Sequence, residues 1–255
     1  MPNWINLVKY FLLKDIKSRY AGSGLGVFWT FILPVFQILL YWFVFSTIMQ
    51  VRPSLNTQIP YIYFLLSTYF FWLALSESIV RSGTVIIDNA EIVKKVYLPN
   101  IVLPLSVTLS SYLHNMIGVI IFILVFTASG LSHPYLFLIV PVLFLQLLFS
   151  VGIGMVTAAV VPYVRDLQLV MGYVIQGMFF LSPVIYSLNA IPERFRGLAY
   201  LNPVTVYIES YHTIIFEKNF PGVWYIVGMV CISCLSLFLG ITVFNKLKEG
   251  FADIL

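Results

Sequence analysis

The chain has 255 residues, 60% of them hydrophobic and 9% charged, with a formal net charge of +4. Soluble domains carry about 25% charged residues, so a water-soluble enzyme of this size is excluded for want of polar surface. The 22 Phe, 16 Tyr and 5 Trp exclude a solvated coil too, and the composition points to an all-α polytopic membrane protein.

A bilayer-crossing helix needs about 20 apolar residues, so the length allows about five to seven spans and no large soluble domain. The basic residues sit beside apolar stretches and form no long run, which argues against a nucleic-acid partner. Met1–Asn6 lacks a basic region and a small-residue cleavage site, so no cleavable leader is expected.

Residues 4–20 predict an amphipathic helix lying in the membrane surface. Trp4, Ile5, Val8, Phe11, Leu12 and Ile16 share one arc at 100° per residue; Asn6, Lys9, Lys14 and Lys17 share the other. Asp15 and Arg19 interrupt the apolar arc but can hold each other as an i, i+4 pair. Gly22 and Gly26 then predict a hinge, so that residues 1–24 form an interface helix and hinge and residues 25–255 a six-span transmembrane domain.

Span 1 is expected at 26–50, with Pro34 as a kink, and span 2 at 61–80. Glu77 and Arg81 fall at the end of span 2, either as an interfacial ion pair, the commoner arrangement, or as a proton or ion site. Residues 82–99 read as a polar connection holding a short amphipathic helix. Span 3 is expected at 100–128, where His114-Asn115 suits a helix–helix hydrogen bond more than a titrating site. A tight turn covers 129–134. Span 4 covers 135–161, with Ser150, Gly154 and Ala158 as a small-residue face. A charged turn at 162–168 leads to span 5 at 169–187, interrupted by Pro183. Span 6 covers 223–245, with a basic tail at 246–255.

The stretch 198–216 is long enough to cross, yet it holds Asn202, Pro203, Glu209 and His212. It reads as two short helices broken at Asn202-Pro203, a re-entrant helical hairpin between spans 5 and 6 within the segment 188–222. With six spans, the side carrying both termini holds 10 Lys and Arg residues against 4 on the other, so both termini are expected in the cytoplasm. Were 198–216 a span, the tally would be 8 against 6.

No GxxxxGK[ST], HExxH, GxSxG or metal-spaced Cys/His cluster is present. Cys231 and Cys234 make a CxxC, but inside an apolar run, where small lipid- or helix-facing residues are expected. The spans are nearly free of ionisable groups, against an ion-coupled pump. If the chain transports, another subunit supplies the energy. Aromatic residues are dense in spans 1, 2 and 5: Trp29, Tyr41, Trp42 and Phe45, then Tyr69, Phe70, Phe71 and Trp72, then Tyr173, Phe179 and Phe180. Lipid-interface rings are the usual explanation, and lining a sugar conduit is the alternative.

Residues 12–46 (LLKDIKSRYAGSGLGVFWTFILPVFQILLYWFVFS) resemble the opening of type-2 ABC exporter permeases for surface polysaccharides. That group includes Wzm-type O-antigen permeases and the teichoic-acid and capsule permeases. The likeness continues through NAEIVKKVYLPNIVLPLS (89–106), VRDLQ (164–168), LSPVIYSL with IPE (181–193), LNPVTVYIESY (201–211) and the closing GFADIL (250–255). His212 stands where many such relatives are expected to carry Arg.

The resemblance implies a homodimer with a conduit between subunits and two copies of a separate ABC ATPase, which would bring ATP and Mg; this chain itself would hold no cofactor and would not be an enzyme. It implies outward movement of undecaprenyl-linked polysaccharide, O-antigen first, across the bacterial inner membrane. Lys17 and Arg19 would meet a lipid diphosphate or simply anionic membrane lipid, and Trp29, Tyr41, Trp42, Phe45, Tyr173, Phe179 and Phe180 would line the path. Asp88, Glu91, Lys94, Lys95, Arg165 and Asp166 would dock the ATPase, and Asn202, Pro203, Glu209 and His212 would belong to a periplasmic cap. Competing readings are a permease for another substrate (teichoic acid, capsule, drug or lipid), a membrane enzyme on lipid-linked sugars, and a structural assembly protein.

Overall fold

The computed structural model describes residues 4–19, 28–51, 59–95 and 99–255, and among these every regular element is helical. In chain order they are α1 (Trp4–Ser18), α2 (Phe28–Tyr41, continued by a wider π turn, Trp42–Ile48), α3 (Tyr61–Asp88) and α4 (Ala90–Lys95). Then come α5 (Val102–Phe126), α6 (Ile139–Val160), α7 (Leu167–Leu181), α8 (Glu193–Leu201), α9 (Thr205–His212), α10 (Val223–Leu247) and α11 (Phe251–Ile254). The hinge at Gly22 and Gly26 lies outside the described residues.

Among the described residues, four helical stretches are long and apolar enough to cross a membrane: Tyr61–Asp88, Val102–Leu131, Pro134–Val160 and Val223–Gly250. Ile32–Ile48 and Leu167–Leu181 are apolar but shorter. At 15 residues α7 is about 22 Å long, less than the roughly 30 Å hydrocarbon layer. Its shortness has a local cause: Pro183 cannot continue the helix, and the Ser182 hydroxyl bonds the Met178 carbonyl at 2.8 Å.

One boundary and one helix face differ from the sequence expectation. The second span does not stop at residue 80, because α3 runs unbroken to Asp88. The residues after Arg81 still present a small, apolar inner face: Ser82, Gly83, Val85 and Ile86 are all buried. Glu77 and Arg81 therefore lie well inside a helix, and the polar connection shortens to residues 89–101, which include α4. Helix α1 keeps Val8, Phe11, Leu12 and Ile16 of the expected arc on its covered face but not its first two residues. Trp4 and Ile5 are exposed, whereas Phe11 is buried and Leu7, Val8, Leu12, Asp15, Ile16 and Arg19 are partly covered. That stripe repeats every three or four residues and lies against α5.

The bundle core is α3, α5, α6 and α10. In lipid, apolar association between helices is weak, so close backbone approach and hydrogen bonds carry the contact. Both occur. A Cβ on Gly240 would fall on the backbone of Gly152, and one on Gly152 would fall on that of Ser236. The expected face of Ser150, Gly154 and Ala158 is buried too. Ser150 bonds the Tyr112 hydroxyl of α5 at 2.7 Å, and a Cβ on Gly154 would meet the Ser82 side chain of α3.

Buried Gln146 links three elements. Its amide donates to the Phe71 carbonyl at 2.8 Å, and its oxygen accepts from Tyr211 at 2.7 Å. The Tyr211 ring stacks on Phe71 at 4.0 Å. The turn after α5 falls at Gly130, whose φ of +76° favours glycine.

The Gly152–Gly240 approach yields a direct test. Gly240→Val should destabilise the protein by the upper end of about 1–3 kcal/mol, read as a lowered unfolding temperature in detergent. Gly172→Ala, at an open helical position, should be neutral or gain up to about 1 kcal/mol.

Candidate functional site

Asp15 and Arg19, which interrupt the apolar arc of α1, lie on its inner face and meet the Glu77–Arg81 pair of α3. Arg81 grips Asp15 with two nitrogens, Nη2 to Oδ1 at 2.6 Å and Nη1 to Oδ2 at 3.0 Å. Arg19 Nη1 donates to Glu77 Oε1, Nη2 to Ser111 Oγ at 3.0 Å, and Nε to Asp15 Oδ2 at 3.3 Å. Asn115 Nδ2 donates to Glu77 Oε2 at 2.8 Å, the interhelical use expected of the His114-Asn115 pair. Two carboxylates and two guanidiniums thus form one formally neutral network across α1, α3 and α5. The Arg19 side chain is 11% exposed and fully engaged, so its local role is to anchor α1.

The surrounding contacts support that anchoring. Phe11 sits in an apolar cluster with Val85, Ile86, Val102, Leu103, Phe244 and Phe251. Burying such a ring contributes about 1.5–3 kcal/mol. Ser106 Oγ donates to the Val8 carbonyl at 3.2 Å, and Lys14 Nζ to Asn89 Oδ1 at 2.8 Å. Lys17 stays exposed.

The same end of the bundle gathers the residues expected to dock an ATPase. The Phe251 ring of the closing GFADIL is fully buried beside Phe244 at 5.7 Å, and α11 lies against α4. The Tyr163 hydroxyl donates to the Leu247 carbonyl at 2.8 Å, tying the 162–168 turn to the tail. Asp88, Glu91, Lys94, Lys95, Arg165 and Asp166 are all exposed around these elements. Lys95 pairs with Glu91 at 2.9 Å, and Asp88 accepts from Thr84 at 2.8 Å.

The aromatic set divides. Tyr41 stacks on Phe179 at 5.4 Å, and Phe179 meets Trp72 at the same distance. Phe179 is therefore a buried contact between α2, α3 and α7, with no surface left for a path. Phe45 is half-buried at the edge of that cluster. Trp29, Trp42, Tyr173 and Phe180 are exposed. At the far end of α3, Asn202 forms the elbow between α8 and α9. Its amide donates to Met178 O at 2.8 Å and Ser182 Oγ at 2.7 Å, and its oxygen accepts from the Val204 N–H at 3.0 Å. Pro203 sits half-buried in that elbow, and Glu209 lies 3.7 Å from His212 Nδ1.

Sequence reasoning did not single out Ser111, Gln146 or Tyr211. Ser111 and Tyr211 carry no periodic signal that separates them from neighbours. Gln146 was detectable as an amide inside an apolar run, which must find partners there.

Burial alone would raise the Asp15 carboxyl. The hydrogen bonds and charge of Arg81, with the charge of Arg19, outweigh it and hold the group below the usual carboxylate value. Its folded-state pKa is thus depressed, so its stabilisation is complete above the unfolded value of about 3.9 and is lost as pH falls through the lower folded value. Arg81→Ala should cost about 1–3 kcal/mol, less than the roughly 3–5 for a fully buried pair, because the Arg81 side chain is 30% exposed. In a thermal double-mutant cycle, Asp15→Asn should recover part of that loss and weaken the acid sensitivity.

The ABC-2 type transporter family model matches residues 6–216. The O-antigen export system permease protein RfbA of Klebsiella pneumoniae is 30% identical over 249 residues, covering 95% of this chain and 92% of that protein. RfbA of Myxococcus xanthus is 28% identical over 244 residues, covering 94% and 92%. The polysialic acid transport protein KpsM of Escherichia coli is 25% identical over 244 residues, covering 93% and 89%. With nearly its whole length aligned to these permeases and most of it matched by the family model, the chain belongs to the ABC-2 type transporter family.

Proposed function

We propose that the chain is the membrane permease subunit of an ATP-driven exporter that moves lipid-linked surface polysaccharide, O-antigen first, outward across the bacterial inner membrane. The observation that carries this reading is the convergence of α4, the 162–168 turn and the tail at one end of an apolar bundle. A bundle without a nucleotide motif needs a surface on which a partner's work can be received, and the relatives are export permeases by name.

In this reading ATP and Mg belong to the partner ATPase, two copies of which meet a homodimer of this chain. All six apolar stretches cross, the short α2 and α7 included. The α8–α9 elbow is a re-entrant cap on the outer side, and both termini are cytoplasmic. The unpartnered apolar faces of α2 (Leu33, Phe36, Leu39) and α7 (Leu169, Tyr173, Val174) suit a second copy and a conduit between copies. Exposed Lys17 suits a lipid phosphate at the entrance, beside the Arg19 anchor.

Reversing the charges of Glu91, Lys94 and Lys95 together should abolish co-purification with the ATPase subunit and its stimulated ATP hydrolysis, while the permease remains folded. Intact co-purification and hydrolysis would remove α4 from the docking surface. A reporter fused after Leu255 should be active only in its cytoplasmic form; a periplasmic signal would overturn the six-span topology.

A further inference from the structure

The end of the bundle away from the ion network holds a cavity of about 330 Å³ between the start of α3, the α8–α9 elbow and the start of α10. That lies within the roughly 300–1,000 Å³ of small-ligand sites. One wall is flat and aromatic: the His212 ring stacks on Phe64 at 4.2 Å, and Phe216 stacks on Phe64 at 5.9 Å. Apart from Ile59 and Leu188, the rest of the lining carries polar groups. Tyr200 and Tyr225 join hydroxyls at 3.0 Å, and Asn189, Arg196, Glu209 and Glu217 complete the surround. His212 is only 7% exposed, and its Nε2 has no hydrogen-bond partner among the described residues.

We infer that this cavity binds a neutral or amino-bearing sugar residue of the exported glycan, an inference that rests on the export reading above. A flat ring wall suits the C–H face of a pyranose. Carboxylates accept from sugar hydroxyls or an ammonium, while the Asn189 amide, the tyrosine hydroxyls and Arg196 supply donors. The charge balance sets the class. Two carboxylates face one guanidinium, so the cavity is net negative and repels an acidic sugar or a lipid diphosphate. It therefore reads the body of the polymer and not its lipid anchor.

The test uses the full chain with its ATPase subunit in lipid nanodiscs. The probes are short neutral oligosaccharides cut from the host's own surface polysaccharide and, for comparison, an oligosaccharide of sialic acid. Saturation-transfer NMR should detect the neutral probe on the unaltered protein and weaker or no binding of the acidic one. Glu209→Gln combined with Tyr225→Phe should weaken neutral-probe binding about tenfold or more. Asn189→Ala, at the exposed rim, should weaken it without disturbing the fold. Unchanged binding in both variants, no binding by the unaltered protein, or preference for the acidic probe overturns the inference. Polymer export by cells lacking the chain strikes the export reading alone, because glycan binding is read on purified protein.

Discussion

The structure depends on how four charges are made safe at the edge of an apolar bundle. An i, i+4 ion pair on an exposed helix is worth a few tenths of a kcal/mol. Asp15–Arg19 and Glu77–Arg81 are two such pairs on different helices, and here they interlock. Arg81 turns to Asp15 and Arg19 to Glu77, with Ser111 and Asn115 of α5 meeting the remaining groups. Each charge is partly desolvated, so removing any one leaves another uncompensated. The network therefore fixes where α1 lies and in which rotation, and does more than strengthen a contact that apolar burial would have made alone.

That placement organises one end of the molecule. With α1 held, Phe11 enters the cluster that also receives Phe244 and Phe251. The two ends of the chain share one apolar core, and α11 comes to rest beside α4. The exposed charges of α4 and of the 162–168 turn are thus displayed on a braced surface. Through Phe11, Phe244 and Phe251 that surface is packed onto α3, α5 and α10.

The middle and the other end follow different physics. Between α6 and α10 the helices touch at Gly152 and Gly240 because nothing larger fits. Buried polar groups tie the helices together here: Gln146 pairs with Phe71 and Tyr211, and Tyr207 with Ser233 at 2.7 Å. Past this level the helices shorten and break, and a cavity of mixed aromatic and polar lining opens under the α8–α9 elbow. One end carries exposed charge, and the other encloses polar groups around a space.

The sequence by itself determined the helical membrane class, the positions of the apolar stretches, the break at Asn202-Pro203, the turn near Gly130 and the two ion pairs as separate local facts. All of these rest on neighbours within a few residues, where helical period and turn chemistry leave a visible pattern. Only the tertiary structure decided that the pairs interlock, since Arg19 and Glu77 are 58 residues apart. It likewise decided that Phe179 is buried and not exposed to a path, and that α3 continues to Asp88 on the strength of what packs against Ser82 and Gly83. The cavity beside His212 is of the same kind, joining the start of α3 to a run of elements more than a hundred residues later in the chain. Contacts between distant elements depend on shape and charge meeting in space, and no local period records them.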